Sequence, residues 1–254
     1  VFMVKIAERI KRLKESISSA CARTGRDPAE VKLVVVTKAA SQEAIEEVIR
    51  LGLVEFGENR VQQLKKVAGQ VDEFLQRNAG EPWAPRGVSW HMIGHLQRNK
   101  VRQVMPMVTL IHSVDTLRLA EEINTAAVKM DITPRVLLQV NTSEESQKYG
   151  VSVGAAPHLA EQMDTLPNLK LVGLMTMAPL THNKDVIRKC FTRARELFVE
   201  MRGERVVGQH FTQLGQRLFH SDEMDVMLVD GQGQLQMVAC VGKLLDAAAT
   251  TFPA

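Results

Sequence analysis

The sequence has few of the residues that mark specialised classes of protein. Aromatic residues make up 4% of its 254 residues, and tyrosine occurs once. The three cysteines, Cys21, Cys190 and Cys240, lie far apart without metal-ligand spacing, so neither a disulfide framework nor a zinc site is expected. We therefore expect a reducing, cytoplasmic setting in which each cysteine is a small buried apolar residue.

Long apolar runs and an excess of one charge are also missing. No run is long enough to cross a bilayer, and residues 1–16 carry charges throughout, unlike a signal peptide. The 32 basic and 29 acidic residues leave a formal net charge of +3. Without a cluster of basic and aromatic residues, this balance gives no case for nucleic-acid binding.

The sequence does contain a regular alternation of strand and helix patterns. A short apolar run, Leu33 to Val36, is typical of a strand buried on both faces of a parallel sheet. Weaker patterns near the end predict strands at 210–214 and 235–241, with a helix at 222–229 between them. Between these regions, strand patterns separated by helical patterns occur at 53–56, 88–93, 109–113, 135–141 and 169–174.

This alternation predicts a single (β/α)8 TIM-type barrel over residues 1–254, a fold that usually takes about 250 residues. Apolar Ile6, Ile10, Leu13 and Ile17 recur at helical spacing and predict an extra helix before the first strand. An open doubly wound sheet is the alternative. No G-x-G-x-x-G turn follows the first strand, which counts against the dinucleotide-binding version of that sheet.

Polar residues follow the predicted strands at the ends where a barrel carries its active site. Lys38 is either a solvent-facing strand end or an amine in a partly apolar site, where desolvation would lower its pKa and make it a nucleophile. Asn59 has the position of a helix cap, and His91 is either a hydrogen-bonded core residue or a ligand contact. Met175 is more typical of packing than of chemistry. Other polar residues at these ends are His95, His112, Ser113, Asn141 and Thr176.

Six stretches resemble motifs of the pyridoxal-phosphate homeostasis protein family, whose members are single-domain barrels related to the N-terminal domain of alanine racemase. The stretches occur in the family's order and with close spacing, and together they are highly specific. They are residues 33–38, 56–62, 90–100, 111–115, 137–141 and 173–177.

The resemblance implies that Lys38 forms a Schiff base with pyridoxal 5′-phosphate (PLP), and that Asn59, His91 and Met175 belong to the cofactor site. It implies a role in intracellular PLP homeostasis without established turnover of a substrate. PLP-dependent apo-enzymes are then candidate partners. The polar helix predicted over Val61 to Arg77 has no clear apolar seam, so we expect a monomer.

The resemblance fails on either side of the acidic stretch 221–231, where the loops after strands seven and eight of such a barrel usually hold phosphate. Ser221, Gly231 and Gly233 are candidates for part of a rebuilt phosphate cup, with Arg217 as an alternative source of charge. Gly242 takes the place of the family's missing glycine if four residues are inserted. The family's arginine, which faces the pyridine nitrogen, aligns with Gln236 without a gap. With four residues inserted it aligns with Cys240, and the sequence leaves this choice open.

Two other functions stay open at this stage. A PLP-dependent racemase-type enzyme needs two bases on opposite faces of its substrate, and Lys38 and Tyr149 are the internal candidates. A barrel that has lost the cofactor and acts as a binding scaffold would explain the altered C-terminal stretches.

Overall fold

The computed structural model describes residues 2–145, 147–203, 226–231 and 234–239. In them, helices cover the outside of a curled sheet whose strands are mostly parallel. The strands are β1 Val31–Val36, β2 Glu55–Glu58, β3 Ser89–Met92, β4 Leu110–Val114, β5 Arg135–Asn141, β6 Val151–Ser152, β7 Lys170–Met175, β8 Val226–Gly231 and β9 Gln234–Ala239. The α-helices are α1 Phe2–Thr24, α2 Gln42–Arg50, α3 Val61–Arg77, α4 Val101–Val104, α5 Leu117–Met130, α6 Ala156–Asp164 and α7 Lys184–Gly203.

The strands follow one another around the sheet largely in chain order. Strands β1 to β5 pair in parallel, and β7 pairs in parallel with β5. The two-residue strand β6 pairs with the end of β5. On the other side of β1, β9 pairs in parallel with it, and β8 pairs antiparallel with β9. Connections through helices are what parallel pairing requires, because a tight turn cannot reverse the chain between parallel strands.

Local sequence signals account for the helix boundaries near the site. The side chain of Ser41 caps α2 by accepting a hydrogen bond from the backbone N–H of Ala44 at 3.3 Å. Gly52, with φ of 80°, follows the end of that helix in the left-handed conformation that glycine tolerates. Thr116 caps α5 in the same way, accepting from Leu119 at 3.3 Å. None of the described helices is long and apolar enough to cross a membrane.

The C-terminal part corrects one prediction and agrees with another. The predicted strand at 235–241 is present as β9, but the helix predicted over 222–229 is wrong where the structure describes it, because Val226–Gly231 is strand β8. Its short apolar run fits either element, and pairing with β9 decides in favour of a strand. The strand predicted at 210–214 lies outside the described residues.

The alternation of side chains along each strand divides the core into two parts. Val35 and Phe56 point outward and pack under the helices in the larger cluster. The smaller cluster lies on the inside of the curled sheet and contains Val34, Val36, Leu110, Leu137, Val172 and Met175. Helix α1 contributes to the larger cluster through Ile6, Ile10, Leu13 and Ile17, which are all buried. The carboxyl ends of the parallel strands therefore surround one end of a small apolar interior.

Candidate functional site

Lys38 lies two residues beyond the end of β1, on a backbone that the neighbouring strand holds in place. The N–H of Thr37 donates to the carbonyl of Gly57 at 3.2 Å, and the Thr37 hydroxyl donates to Oε1 of Glu58 at 2.5 Å. Thr37 and Glu58 are both buried, whereas Lys38 is exposed. Of the two alternatives for Lys38, the structure therefore agrees with the solvent-facing strand end, on a backbone that β2 holds in place.

Glu58 is a buried acidic residue whose pKa is affected by the charge of Lys38. Burial raises the pKa of the Glu58 carboxyl, while the hydrogen bonds from Thr37 and the backbone of Asn59, and the charge of Lys38, oppose the rise. The carboxyl group thus links the end of β1 to the end of β2 behind the lysine.

Asn59 follows β2 but does not cap α3. The cap position belongs to Arg60, which makes no side-chain capping bond, so the interpretation of Asn59 as a cap is wrong. Asn59 is instead half-buried and lies directly against Gly94, beyond the end of β3. A Cβ atom at Gly94 would lie 2.2 Å from the carbonyl oxygen of Asn59, so only glycine permits this approach. The close contact joins the ends of β2 and β3 next to Lys38.

His91 lies inside the sheet, in a hydrogen-bonded chain of four side chains. Its Nε2 is 2.8 Å from Oε2 of Glu55, and its Nδ1 is 2.8 Å from Nε2 of His112. The other carboxylate oxygen of Glu55 is 2.9 Å from Nζ of Lys32. His91 is thus a hydrogen-bonded core residue, with both ring nitrogens bonded to protein. A contact between His91 and a cofactor stays a prediction.

The charge states along this chain follow from burial and from the order of the groups. Burial lowers the pKa of His91, with the Glu55 bond opposing and the charges of Lys32 and Arg135 reinforcing the change. Burial, aided by His91, holds the pKa of His112 well below its usual value. For Glu55, burial acts to raise the pKa, but the bonds from His91 and Lys32 outweigh it and lower the pKa to about 2. At neutral pH the carboxylate of Glu55 is therefore ionised, and the imidazoles of His91 and His112 are neutral.

Two loops meet at the rim beyond β3 and β5. The rings of His95 and Tyr149 stack with centroids 4.3 Å apart and planes 16° apart, and Tyr149 is 57% exposed. Gln139 fixes the second loop by donating to the carbonyl of Tyr149 at 3.1 Å, and Lys148 donates to that of Ala178 at 2.8 Å. The only tyrosine in the sequence therefore lies on the rim, next to a residue that the sequence placed beyond the third strand.

The remaining predicted site residues lie in different parts of the structure or outside its described residues. Met175 is buried in the inner cluster at the end of β7, as a packing residue. Gly231 ends β8. Gln236 pairs with Lys32 near the start of β1, so the ungapped alignment does not bring it to the end of the sheet where Lys38 lies. The residues that lie outside the described part are Ser221, Gly233, Gly242, Arg217 and Cys240.

Sequence reasoning missed the connections between Glu55, His91 and His112. The acid stands in a short apolar run of strand β2, and an acid in a buried strand is a signal that a partner is required. The sequence does not say which partner, since Glu55 and His91 are 36 positions apart.

Comparison with known proteins shows which family and fold this chain is similar to. The family model for the N-terminal domain of alanine racemase matches residues 9–209. A pyridoxal phosphate homeostasis protein of Aquifex aeolicus is 37% identical over 225 residues, covering 88% of this chain and 91% of the relative. The protein of that name from Escherichia coli K12 is 32% identical over 237 residues, covering 92% of this chain and 94% of its own.

A solved structure extends the likeness to the fold. PipY of Synechococcus elongatus PCC7942, solved with PLP bound, is 27% identical and superposes with a TM-score of 0.61, over 77% of this chain and 84% of its own. The chain belongs to the family of pyridoxal phosphate homeostasis proteins, within the larger family of the alanine racemase N-terminal domain.

Proposed function

We propose that this chain binds pyridoxal 5′-phosphate through Lys38, at the carboxyl ends of the parallel strands, and acts in PLP homeostasis in the cytoplasm. The observation that supports this most directly is the position of Lys38 itself. Its exposed side chain stands on a backbone held by Thr37 and Glu58, at the sheet end where such folds carry their sites. PLP-dependent apo-enzymes as partners, and a monomeric state, are part of the same proposal.

The residues present fit a pyridoxal-type ligand. An accessible primary amine is the group that condenses with an aldehyde, forming a C=N bond and releasing water. Near it the structure offers the half-buried Asn59, and on the inside of the sheet a fully buried nitrogen of His112 without a hydrogen-bond partner among the described residues. Such an atom suits a ligand that brings its own donor. Candidate phosphate ligands at Ser221 and Gly242 belong to this proposal as well.

We also propose that the curled sheet is part of a complete (β/α)8 barrel with an extra N-terminal helix, forming one domain over residues 1–254. Two observations support closure. Strand β9 pairs with β1, the first strand, and β8 approaches β7 from the other side. A closed barrel would leave no sheet edge unpaired, and its interior would be the small apolar cluster already present.

The test is an absorbance titration of purified protein with PLP, followed by borohydride reduction and peptide mapping. We expect a new band near the visible edge and a reduced adduct on Lys38 in the natural protein. Lys38→Ala should lose both. Lys170→Ala is the matched control, because Lys170 is an exposed lysine at the opposite, amino-terminal end of strand β7.

Three outcomes would overturn the proposal. An adduct on another lysine would move the site, and an unchanged band in Lys38→Ala would exclude the assigned residue. A folded natural protein without any band would favour the scaffold function instead.

A further inference from the structure

We propose that His112 is a binding residue of this site, whose Nδ1 accepts a hydrogen bond from an O–H or N–H group on the ring of the bound ligand. The inference rests on the proposed function and adds a contact to it. Its structural basis is the chain from Glu55 through His91 to His112, which fixes the ring of His112 and decides which of its nitrogens carries the proton.

The strand register gives His112 and Lys38 the same offset from one row of paired residues. Val36 pairs with Gly57, Gly57 with His91, and His91 with Leu110, so these four residues form one row across the first four strands. Two residues beyond Val36, past the end of β1, is Lys38, and two residues beyond Leu110, within β4, is His112. Because Leu110 belongs to the inner cluster, the side chain of His112 also lies on the inner face of the sheet.

The order of groups fixes the proton positions. The ionised carboxylate of Glu55 only accepts hydrogen bonds, so Nε2 of His91 carries a proton. A neutral His91 then has an unprotonated Nδ1, which accepts from Nε2–H of His112. A neutral His112 that donates through Nε2 has a bare lone pair on Nδ1. The carboxylate of Glu55, acting through His91, thereby makes Nδ1 of His112 a hydrogen-bond acceptor.

The charges around the chain favour this neutral arrangement. Lys32 bonds to Glu55, and the charge of Arg135 on β5 also lowers the pKa of His91, so two cations act on this histidine and one anion offsets them. A further proton on either ring would add a third positive charge to a buried region. Leu110 and Leu137, which also lie on the inner face, are apolar.

The Nδ1 atom of His112 has no partner among the residues that the structure describes, although the residue is 0% exposed. Buried polar atoms are rarely left in this state, since the loss of hydration is not compensated. A donor is therefore missing from the described site. A pyridoxal ring supplies donors of the required kind, through its hydroxyl group or its protonated ring nitrogen.

Two substitutions distinguish a role of His112 in ligand binding from a role in folding. Each new side chain places a polar atom near one of the two ring nitrogens of His112 and leaves the other without a replacement. In His112→Asn the amide oxygen can occupy the place of Nδ1, while the contact with His91 is lost. In His112→Gln the amide nitrogen can still donate to His91, while the acceptor at Nδ1 is lost. The measurement is the dissociation constant for PLP from the absorbance titration, together with the urea midpoint of each variant.

We expect His112→Gln to weaken PLP binding about tenfold, the usual effect of one lost hydrogen bond in a buried site, and His112→Asn to recover most of that affinity. The urea midpoint of His112→Asn should be lower than that of His112→Gln, because only the glutamine side chain keeps the contact with His91. Equal affinity of His112→Gln and the natural protein would overturn the inference while leaving the proposed function intact. If the natural protein does not bind PLP, the proposed function and the ligand contact both fail.

A second measurement needs no ligand and tests the proton positions directly. In protein labelled with ¹⁵N-histidine and free of cofactor, Nδ1 of His112 should show the chemical shift of an unprotonated nitrogen and Nε2 that of a protonated one. Glu55→Gln should weaken this preference, and PLP should move the Nδ1 signal toward the protonated range. A protonated Nδ1 in the free protein would overturn the inference, whatever the ligand does.

Discussion

Nε2 of His112 and Nδ1 of His91 are 2.8 Å apart inside the sheet, with 0% and 1% of the two residues exposed to solvent. Two neutral imidazoles in such a setting make the stability of the fold depend on pH. Their pKa values are lowered in the folded state, so the unfolded chain binds protons that the folded chain does not.

The first prediction is a loss of stability as the pH falls below about 6.5, the ordinary pKa of histidine. Stability should be full above that value and should decline toward the folded pKa values, with each histidine contributing up to about 1.4 kcal/mol per pH unit. Urea unfolding at pH 7.5, 6.5 and 5.5 measures the slope. His112→Gln should reduce it, and His158→Gln, which changes an exposed histidine, should leave it as it is.

The second prediction concerns Glu55, which accepts bonds from both Lys32 and His91. Glu55→Gln should lower the free energy of unfolding at pH 7 by about 2 kcal/mol, after allowance for partial solvent screening, since it leaves buried donors with a weaker partner. Because the folded pKa of about 2 lies below the unfolded value, this contribution is present above about pH 4.5 and is lost as the pH falls further. Glu73→Gln, on the exposed face of α3, is the control, and an equal effect of both substitutions would contradict the prediction.

The third prediction uses two glycines with opposite surroundings. Gly94→Ala should destabilise the fold by about 2 kcal/mol or more and weaken PLP binding, because its Cβ would collide with the backbone of Asn59. Gly69→Ala lies in helix α3 with nothing within 4 Å of the added atom. It should stabilise by about 0.5–1 kcal/mol through helix propensity. The measurement is the midpoint of thermal unfolding of both variants. Similar shifts of the two midpoints would argue against a close approach of the backbone at Gly94.

The fourth prediction tests whether helix α1 is part of the folded unit. Ile10 is buried against the core, whereas its neighbour Lys11 points outward. Ile10→Ala should cost about 2–4 kcal/mol of stability, and Lys11→Ala should change it little. A single cooperative urea transition is expected in both variants. An early, separate transition in Ile10→Ala would show that the helix folds independently of the sheet.

Much of the fold was predictable because its signals are local. The helix predicted over Val61 to Arg77 has the same bounds as α3. Strand β5 likewise runs from Arg135 to Asn141 as predicted. Periodicity and capping residues determine such elements within a few turns of chain.

The site was less predictable because its contacts join distant parts of the sequence. Lys38, Asn59 and His91 were recognised as polar residues at strand ends, but the sequence did not indicate that Glu55 would bond to His91 and did not decide whether Lys38 would be exposed. Those facts depend on strand register and curvature, which place residues 21 to 36 positions apart in contact. The helix predicted over 222–229 was wrong for a related reason, since only the pairing of β8 with β9 distinguishes a strand from a helix there.

The pairing of β1 with β9 also has a consequence for synthesis on the ribosome. Val31 pairs with Leu235, so one edge of β1 stays unmatched until more than 200 further residues have been made. An apolar strand with a free edge is a template for pairing with other chains, and long-range parallel pairing forms slowly. We therefore expect nascent chains that stop short of β9 to aggregate or to be held by chaperones, whereas chains released after it acquire protease resistance.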